Sequence, residues 1–226
     1  MNGLVRASML LLRKELRIEL RTREIVVTTG LFATLVTVLT SLSFYVDRKS
    51  GPLVAPGVLW IAVTFSGVLA MGRSWARERD HDAFRGLLLS PVPRSAIYLS
   101  KVMATLIFLA VVELVLVAEV AVLFNLDLGG KLGALLSLLA LGTVGFCATG
   151  NLFAALSVRT RAREMMLSVI VFPVVAPALL SGVVATRELL GGAPMSEIAG
   201  WLQILAAFDL AFLAAGIALF DTLVSD

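Results

Sequence analysis

Six long apolar runs, none of which contains a lysine or an arginine, dominate this sequence of 226 residues. They are Ile25–Val46, Leu53–Gly72, Val102–Phe124, Leu132–Val158, Met165–Ala185 and Gly200–Val224. A helix needs about 20 such residues to cross a bilayer, and none of the runs shows the alternating pattern of barrel strands. Charged residues make up only 15% of the chain, against about 25% in soluble domains. The pattern predicts an all-α integral membrane protein, with six transmembrane helices in one transmembrane domain, residues 1–226.

The motifs that usually accompany catalysis or nucleotide binding are missing from the sequence. Its single cysteine, Cys147, and single histidine, His81, are too few for a disulfide or a zinc site. The phosphate-binding motif GxxxxGK[S/T] does not occur, because Gly129-Gly130-Lys131 lacks its spacing. We therefore predict no catalytic residues, no metal site and no cofactor bound by this chain. Any ATP hydrolysis would take place in a partner subunit.

The basic residues outside the runs are distributed very unequally between the two sides of the membrane. One side carries 15 of them: Arg6, Arg13, Lys14, Arg17, Arg21, Arg23, Arg73, Arg77, Arg79, Arg85, Arg94, Lys101, Arg159, Arg161 and Arg163. The other side carries four: Arg48, Lys49, Lys131 and Arg187. Cytoplasmic loops are enriched in lysine and arginine. Both termini are therefore predicted to be cytoplasmic.

The N-terminal segment, residues 1–24, has the pattern of an amphipathic helix. Apolar residues recur every three or four positions, at Val5, Met9, Leu12, Leu16 and Leu20. Basic residues occupy the other side, at Arg13, Lys14, Arg17 and Arg21. Such a helix lies along the membrane surface with its basic side chains toward lipid phosphates. The alternative is a cluster of charges that only sets the topology.

The segment 73–101 is the largest loop on the predicted cytoplasmic side. A charged helical stretch, Trp75–Arg85, leads into the apolar patch Leu87–Leu89. Ser90–Pro93 should then break the helix, and Ser95 is a candidate cap for the next one. An apolar patch inside a charged loop needs a cover, which favours a docking element over a merely solvated loop. The candidate contact residues are Glu78, Arg79, Asp82, Arg85, Leu88, Ser90, Pro91 and Arg94.

Three carboxylates lie deep within the apolar runs: Glu113, Glu119 and Asp209. An acidic residue at mid-membrane costs on the order of 2.5–3.5 kcal/mol on insertion scales, so it usually faces protein or water. These residues could form a substrate or proton path. They could also make hydrogen bonds between helices or subunits, which is the interpretation we favour slightly.

Small residues in the fourth and sixth runs indicate close helix packing. They are Gly142, Gly145, Gly150, Ala207, Ala211 and Ala215. In the fifth run, Pro173 and Pro177 are predicted to kink or unwind the helix.

Four stretches of the chain resemble a known family. They are KELRIELRTRE at Lys14–Glu24, the loop Glu78–Lys101 ending GLLLSPVPRSAIYLSK, and the stretches Leu141–Gly182 and Ala206–Asp226. The loop is similar to the coupling helix of ABC-2-type permeases, and the N-terminal helix to their elbow helix. As an ordered set, the stretches resemble the haem exporter protein B family, CcmB, of cytochrome c maturation system I.

This resemblance implies a permease subunit in the bacterial inner membrane. Its expected partners are a CcmA-like ABC ATPase, CcmC-like and CcmD-like membrane subunits, a CcmE-like haem chaperone and membrane lipids, but no nucleic acid. A second copy of itself is one candidate for the other membrane half. ATP would be hydrolysed by the partner, and haem is the possible cargo of the complex. The ATPase would move residues 78–94 and so tilt the second and third spans. The alternatives are an ABC-2 exporter of a lipid, polysaccharide or drug, a proton-coupled carrier using Glu113 and Glu119, and a passive scaffold.

Overall fold

A computed structural model describes residues 2–44, 50–80, 86–87, 89–157 and 163–225 of the chain. The predicted contact residues Asp82, Arg85 and Leu88 lie outside this part. All the regular secondary structure in the described part is α-helical. The helices are α1 Asn2–Thr22, α2 Glu24–Ser43, α3 Gly51–Asp80, α4 Arg94–Leu123, α5 Leu132–Ser157, α6 Arg163–Gly191 and α7 Met195–Ser225.

Helices α2 to α7 are each long and apolar enough to cross a membrane. This confirms the prediction of an all-α membrane protein with six spans. Helix α1 precedes them and is joined to α2 through Arg23 alone, which adopts left-handed backbone angles (φ 54°). A linker of one residue keeps α1 next to the end of the first span.

The helices extend well into the segment 73–101 from both sides. Helix α3 continues past Gly72 to Asp80, because its last two turns contain neither proline nor glycine. The prediction that Ser95 caps the next helix is wrong. Helix α4 begins at Arg94, directly after Pro93 (φ −56°), and no side chain caps it. A proline already holds the φ angle that a helix start requires.

The span that contains Pro173 and Pro177 is helical throughout, so the predicted unwinding is wrong. The predicted kink stays a prediction. Helix α6 includes both Pro173 and Pro177 without an interruption. Helix α3 likewise includes Pro56. Transmembrane helices tolerate proline where neighbouring groups satisfy the freed backbone atoms.

Glycine residues allow large aromatic side chains to fit between the packed helices. A Cβ atom at Gly142 of α5 or at Gly182 of α6 would lie 2.2 Å or 2.6 Å from the Trp60 ring of α3. A Cβ atom at Gly150 would lie 2.3 Å from the Met71 sulfur. The predicted close packing of α5 is therefore confirmed.

In the predicted alanine stripe of α7, Ala207 and Ala211 are exposed and Ala215 is half-buried.

Candidate functional site

A buried group of charged side chains joins three helices where the segment 73–101 begins and ends. Lys101, two turns into α4, is only 1% exposed, and Glu78 in the last turn of α3 is 3% exposed. The Lys101 Nζ lies 2.9 Å from Glu15 Oε1 of α1 and 3.0 Å from Glu78 Oε1. We call Lys14, Glu15, Glu78 and Lys101 the ion-pair cluster.

The Lys101 ammonium group has further partners besides the two carboxylates. Its ammonium group also donates to the carbonyl and the hydroxyl of Ser74, each at 3.2 Å. The Trp75 ring lies 5.6 Å from the same nitrogen, within cation–π range. The Trp75 indole donates to Asn151 Oδ1 of α5 at 2.9 Å. The cluster is therefore connected to a fourth helix.

Lys14 completes the ion-pair cluster at its half-exposed rim. Its Nζ lies 2.5 Å from Glu78 Oε1 and 3.3 Å from Glu15 Oε1. Burial by itself favours the neutral amine, but the hydrogen bond to Glu78 and the charge of Glu15 raise the pKa of Lys14 above its usual value. The cluster thus contains two cations and two carboxylates, and its formal charges balance.

A second set of ion pairs continues the contact between α1 and α3. Arg77 lies 2.9 Å from Glu19 and 3.3 Å from Glu24, and Arg73 lies 2.7 Å from Glu24. The other oxygen of Glu19 accepts a hydrogen bond from the Val26 amide at 2.9 Å. These contacts fix the corner between α1 and α2 against the end of α3.

The protein-facing side of α1 differs from the predicted apolar stripe. Its buried residues are Ser8, Leu12, Glu15 and Glu19, which share one helical face. Val5, Met9 and Leu20 of the predicted stripe are exposed. The expectation that the basic side chains point to lipid phosphates is wrong for Lys14, because this side chain binds Glu78 and Glu15. Arg13, Arg17 and Arg21 are exposed as that expectation requires.

The structure places the predicted contact residues of the segment 73–101 at several different sites. Glu78 belongs to the ion-pair cluster, whereas Arg79 is exposed at the end of α3. The Ser90 hydroxyl donates to the Leu87 carbonyl at 2.6 Å, and Pro91 is exposed in the bend that follows.

Arg94 joins this segment to the last helix, and Leu89 is exposed for contact with a partner. The Arg94 guanidinium lies 3.1 Å from Asp221 of α7, which attaches the start of α4 to the end of the last helix. Leu89, which the sequence did not single out alone, is 85% exposed.

The three intramembrane carboxylates separate into two locations. Glu113 accepts a hydrogen bond from the Thr143 hydroxyl of α5. Asp209 of α7 also faces α5, with Oδ1 2.4 Å from the position of a Cβ atom at Gly145. Glu119 instead accepts a hydrogen bond from Thr34 of α2 at 2.7 Å. Glu113 and Asp209 therefore both contact α5, but from opposite sides, because residues 143 and 145 do not share a helix face. Glu119 contacts α2 instead.

Comparison with known proteins identifies the family. The family model described as "CcmB protein" matches residues 6–222. The chain belongs to the CcmB family.

Three curated CcmB relatives align over most of the chain, and each is named "Heme exporter protein B". The protein of Bradyrhizobium diazoefficiens is 28% identical over 206 residues, which cover 91% of each chain. That of Pseudomonas aeruginosa is 27% identical over 201 residues, 89% of this chain and 90% of its own. That of Paracoccus denitrificans is 32% identical over 181 residues, which cover 78% of this chain and 80% of its own. Each of these names describes an exporter protein.

Sequence reasoning missed most of the ion-pair cluster in this CcmB protein. Lys14 was expected to face lipid phosphates, Lys101 was only counted among the basic residues of the cytoplasmic side, and Glu15 was not singled out. Their partners are distant in the sequence, so no local pattern predicts the pairing. One signal was available, because Glu15 and Glu19 share a helical face with the apolar Leu12. Carboxylates on an apolar face indicate a buried cationic partner.

Within the described residues, no three histidine, cysteine, aspartate or glutamate side chains come together in a way that could hold a metal ion.

Proposed function

We propose that this CcmB chain is the membrane permease subunit of a haem exporter in c-type cytochrome biogenesis, driven by a separate ATPase. The observation that carries the proposal is the family match over residues 6–222. Relatives named heme exporter protein B, aligned over about nine-tenths of their length, supply the cargo class. The subunit lies in the bacterial inner membrane with both termini in the cytoplasm, as the excess of basic residues on one side indicates.

The ion pairs at both ends of the segment 73–101 provide a mechanical connection to the spans. At one end Glu78 is bound to Lys101 of α4 and, through it, to Glu15 of α1. At the other end Arg94 is bound to Asp221 of α7. A displacement of this segment by a docked ATPase therefore moves α3, α4, α7 and α1 together. Such rigid-body movement of packed helices is a common form of conformational switching.

The docking partner at this segment is a CcmA-like ATPase. The exposed Leu89 side chain of this segment supplies an apolar contact, as interface cores require. CcmC-like and CcmD-like membrane subunits, or a second copy, complete the membrane part, and a CcmE-like chaperone receives haem. The single histidine of the chain, His81, lies outside the apolar runs. This arrangement supports a mechanical role for the subunit, with haem as cargo of the complex.

The test is co-purification of the chain with its ATPase from native membranes, using Leu89→Glu as the variant. Leu89 is so exposed that a glutamate there leaves the packing of the chain intact. We expect at least a tenfold loss of co-purifying ATPase and a matching loss of c-type cytochromes in cells. The matched control is Met195→Glu, an exposed apolar residue at the opposite end of the bundle, which should retain both.

Two results would contradict this proposal. One is a wild-type chain that retains no ATPase. The other is a deletion strain that still assembles c-type cytochromes, which would indicate an exporter of another substrate.

A further inference from the structure

Two buried carboxylates from different helices face the same two turns of α5. Glu113 of α4 is 5% exposed and accepts a hydrogen bond from the Thr143 hydroxyl of α5. Asp209 of α7 is 7% exposed and occupies the space left by the missing side chain of Gly145. The Cys147 thiol, one turn further along α5, is fully buried and within electrostatic reach of both carboxylates. Helix α5 thus brings two acids from its two neighbours to one level of the membrane.

None of the ion pairs in the described part of the chain involves Glu113 or Asp209. Lys101 is the only lysine or arginine of α4 besides Arg94, and it is already bound by Glu15 and Glu78. It also lies three turns from Glu113, roughly 18 Å along the helix axis. The six apolar runs themselves contain no lysine or arginine.

One carboxyl oxygen of these two acids has no hydrogen bond within the described part of the chain. Asp209 Oδ1 is buried and has no partner in the described part of the chain. A buried polar atom without a partner costs free energy. A bound proton removes the negative charge of this carboxyl, so burying it without a partner costs less free energy.

Few other titratable groups surround the pair. The Tyr98 hydroxyl of α4 already donates to the Ala148 carbonyl at 3.0 Å. The apolar runs of the other two neighbours, 53–72 in α3 and 165–185 in α6, contain no titratable residue. The remaining candidate is the thiol of Cys147.

We propose that Glu113 and Asp209, one on each side of α5, form an intramembrane proton-binding site in which each carboxyl holds its own proton and exchanges it with bulk water. An ionised carboxylate in an apolar interior is strongly disfavoured unless it is paired. The protonated acids therefore stabilise the packing of α4 and α7 on α5. Loss of a proton places an unpaired charge at one of these interfaces and loosens it. This site goes beyond the proposed haem export and depends on neither cargo nor ATPase.

Infrared spectroscopy of the full chain in lipid tests the proposal directly. A protonated carboxyl has a carbonyl stretching band that an ionised carboxylate lacks. We expect such bands in the wild type, one lost in Glu113→Gln and another lost in Asp209→Asn. Both should weaken as the pH of the buffer is raised and return when it is lowered. Each variant is first checked by size-exclusion chromatography to have kept its fold.

The matched control is Glu119→Gln, which removes a carboxyl from the same helix at a different interface. It should leave the bands of Glu113 and Asp209 unchanged. A wild-type spectrum without a protonated-carboxyl band that Glu113→Gln or Asp209→Asn removes would overturn the proposal. Bands that stay constant over the whole pH range in which the chain remains folded would also overturn it, because the protons would then not exchange. Since no ATPase or haem is present, failure here would leave the proposed export function untouched.

Discussion

Lys101 shows how a buried charge is tolerated at the end of a membrane span. Its ammonium group has two carboxylate partners and two contacts with Ser74, so no donor is left without an acceptor. Removing one partner from a buried pair costs more than the pair itself contributes, because an unpaired charge remains. Removing a single charged side chain from the ion-pair cluster should therefore lower the stability of the protein strongly. Removing one cation together with one carboxylate should lower it less.

The first prediction concerns Lys101→Met. We expect it to destabilise the chain by about 3–5 kcal/mol, the usual cost of breaking a buried ion pair, because Glu15 and Glu78 keep their charges. The double variant Lys101→Met/Glu15→Gln restores the balance with the remaining Lys14 and should recover part of this loss. Thermal unfolding of the purified proteins in detergent measures both. Equal unfolding temperatures for the wild type and Lys101→Met would contradict the prediction.

At the scale of single elements, glycine positions on α5 decide how closely its neighbours approach. Gly142 lies against the Trp60 ring, whereas a Cβ atom at Gly133 of the same helix would meet nothing within 4 Å. The two glycines look equivalent in the sequence, but only one of them is required by packing.

Gly142→Ala should therefore destabilise the bundle. The added methyl group would overlap the Trp60 ring, and overpacking of this kind costs about 1–3 kcal/mol. Gly133→Ala is the control in the same helix and should be neutral or slightly stabilising, because alanine favours helix formation. Unfolding temperatures in detergent compare the two. A destabilisation of the same size in both variants would show that the Trp60 contact is not the cause.

On the scale of the whole molecule, the ion pairs lie at one end of the bundle. The ion-pair cluster connects α1, α3 and α4 there, and Arg94–Asp221 connects α4 and α7. The opposite end has a polar recess of about 400 Å³, lined by residues that include Asn125, Asp127 and Lys131. The two faces of the protein are thus chemically distinct, in line with the unequal distribution of basic residues.

Thiol accessibility in oriented membrane vesicles tests the proposed topology. In a Cys147→Ser background, Leu89→Cys and Ser196→Cys each place one exposed thiol at an opposite end of the bundle. A reagent that cannot cross the membrane should label Ser196→Cys from the non-cytoplasmic side. It should label Leu89→Cys only after the membrane is permeabilised. The reverse pattern would mean that both termini lie outside the cytoplasm.

The sequence predicted most reliably those features whose physical cause lies within one short segment. The six spans follow from length and hydrophobicity within single runs, and the structure confirms them. The ends of helices were less predictable, as Ser95 shows, because several residues near Pro93 can start a helix. For the amphipathic helix α1, the pattern predicted the element but not which face contacts the protein. That face carries Glu15 and Glu19, whose partners belong to other helices.

The sequence by itself determined that this is a six-span helical membrane protein, because transfer of apolar runs into a bilayer depends on each run alone. It also pointed to the CcmB family, which the match over residues 6–222 confirms. Only the tertiary structure decided that Lys101 joins Glu15 to Glu78, and that Glu113 and Asp209 face α5 whereas Glu119 faces α2. These pairings depend on the rotation and depth of whole helices, which are set by packing at positions such as Gly142 and Gly145.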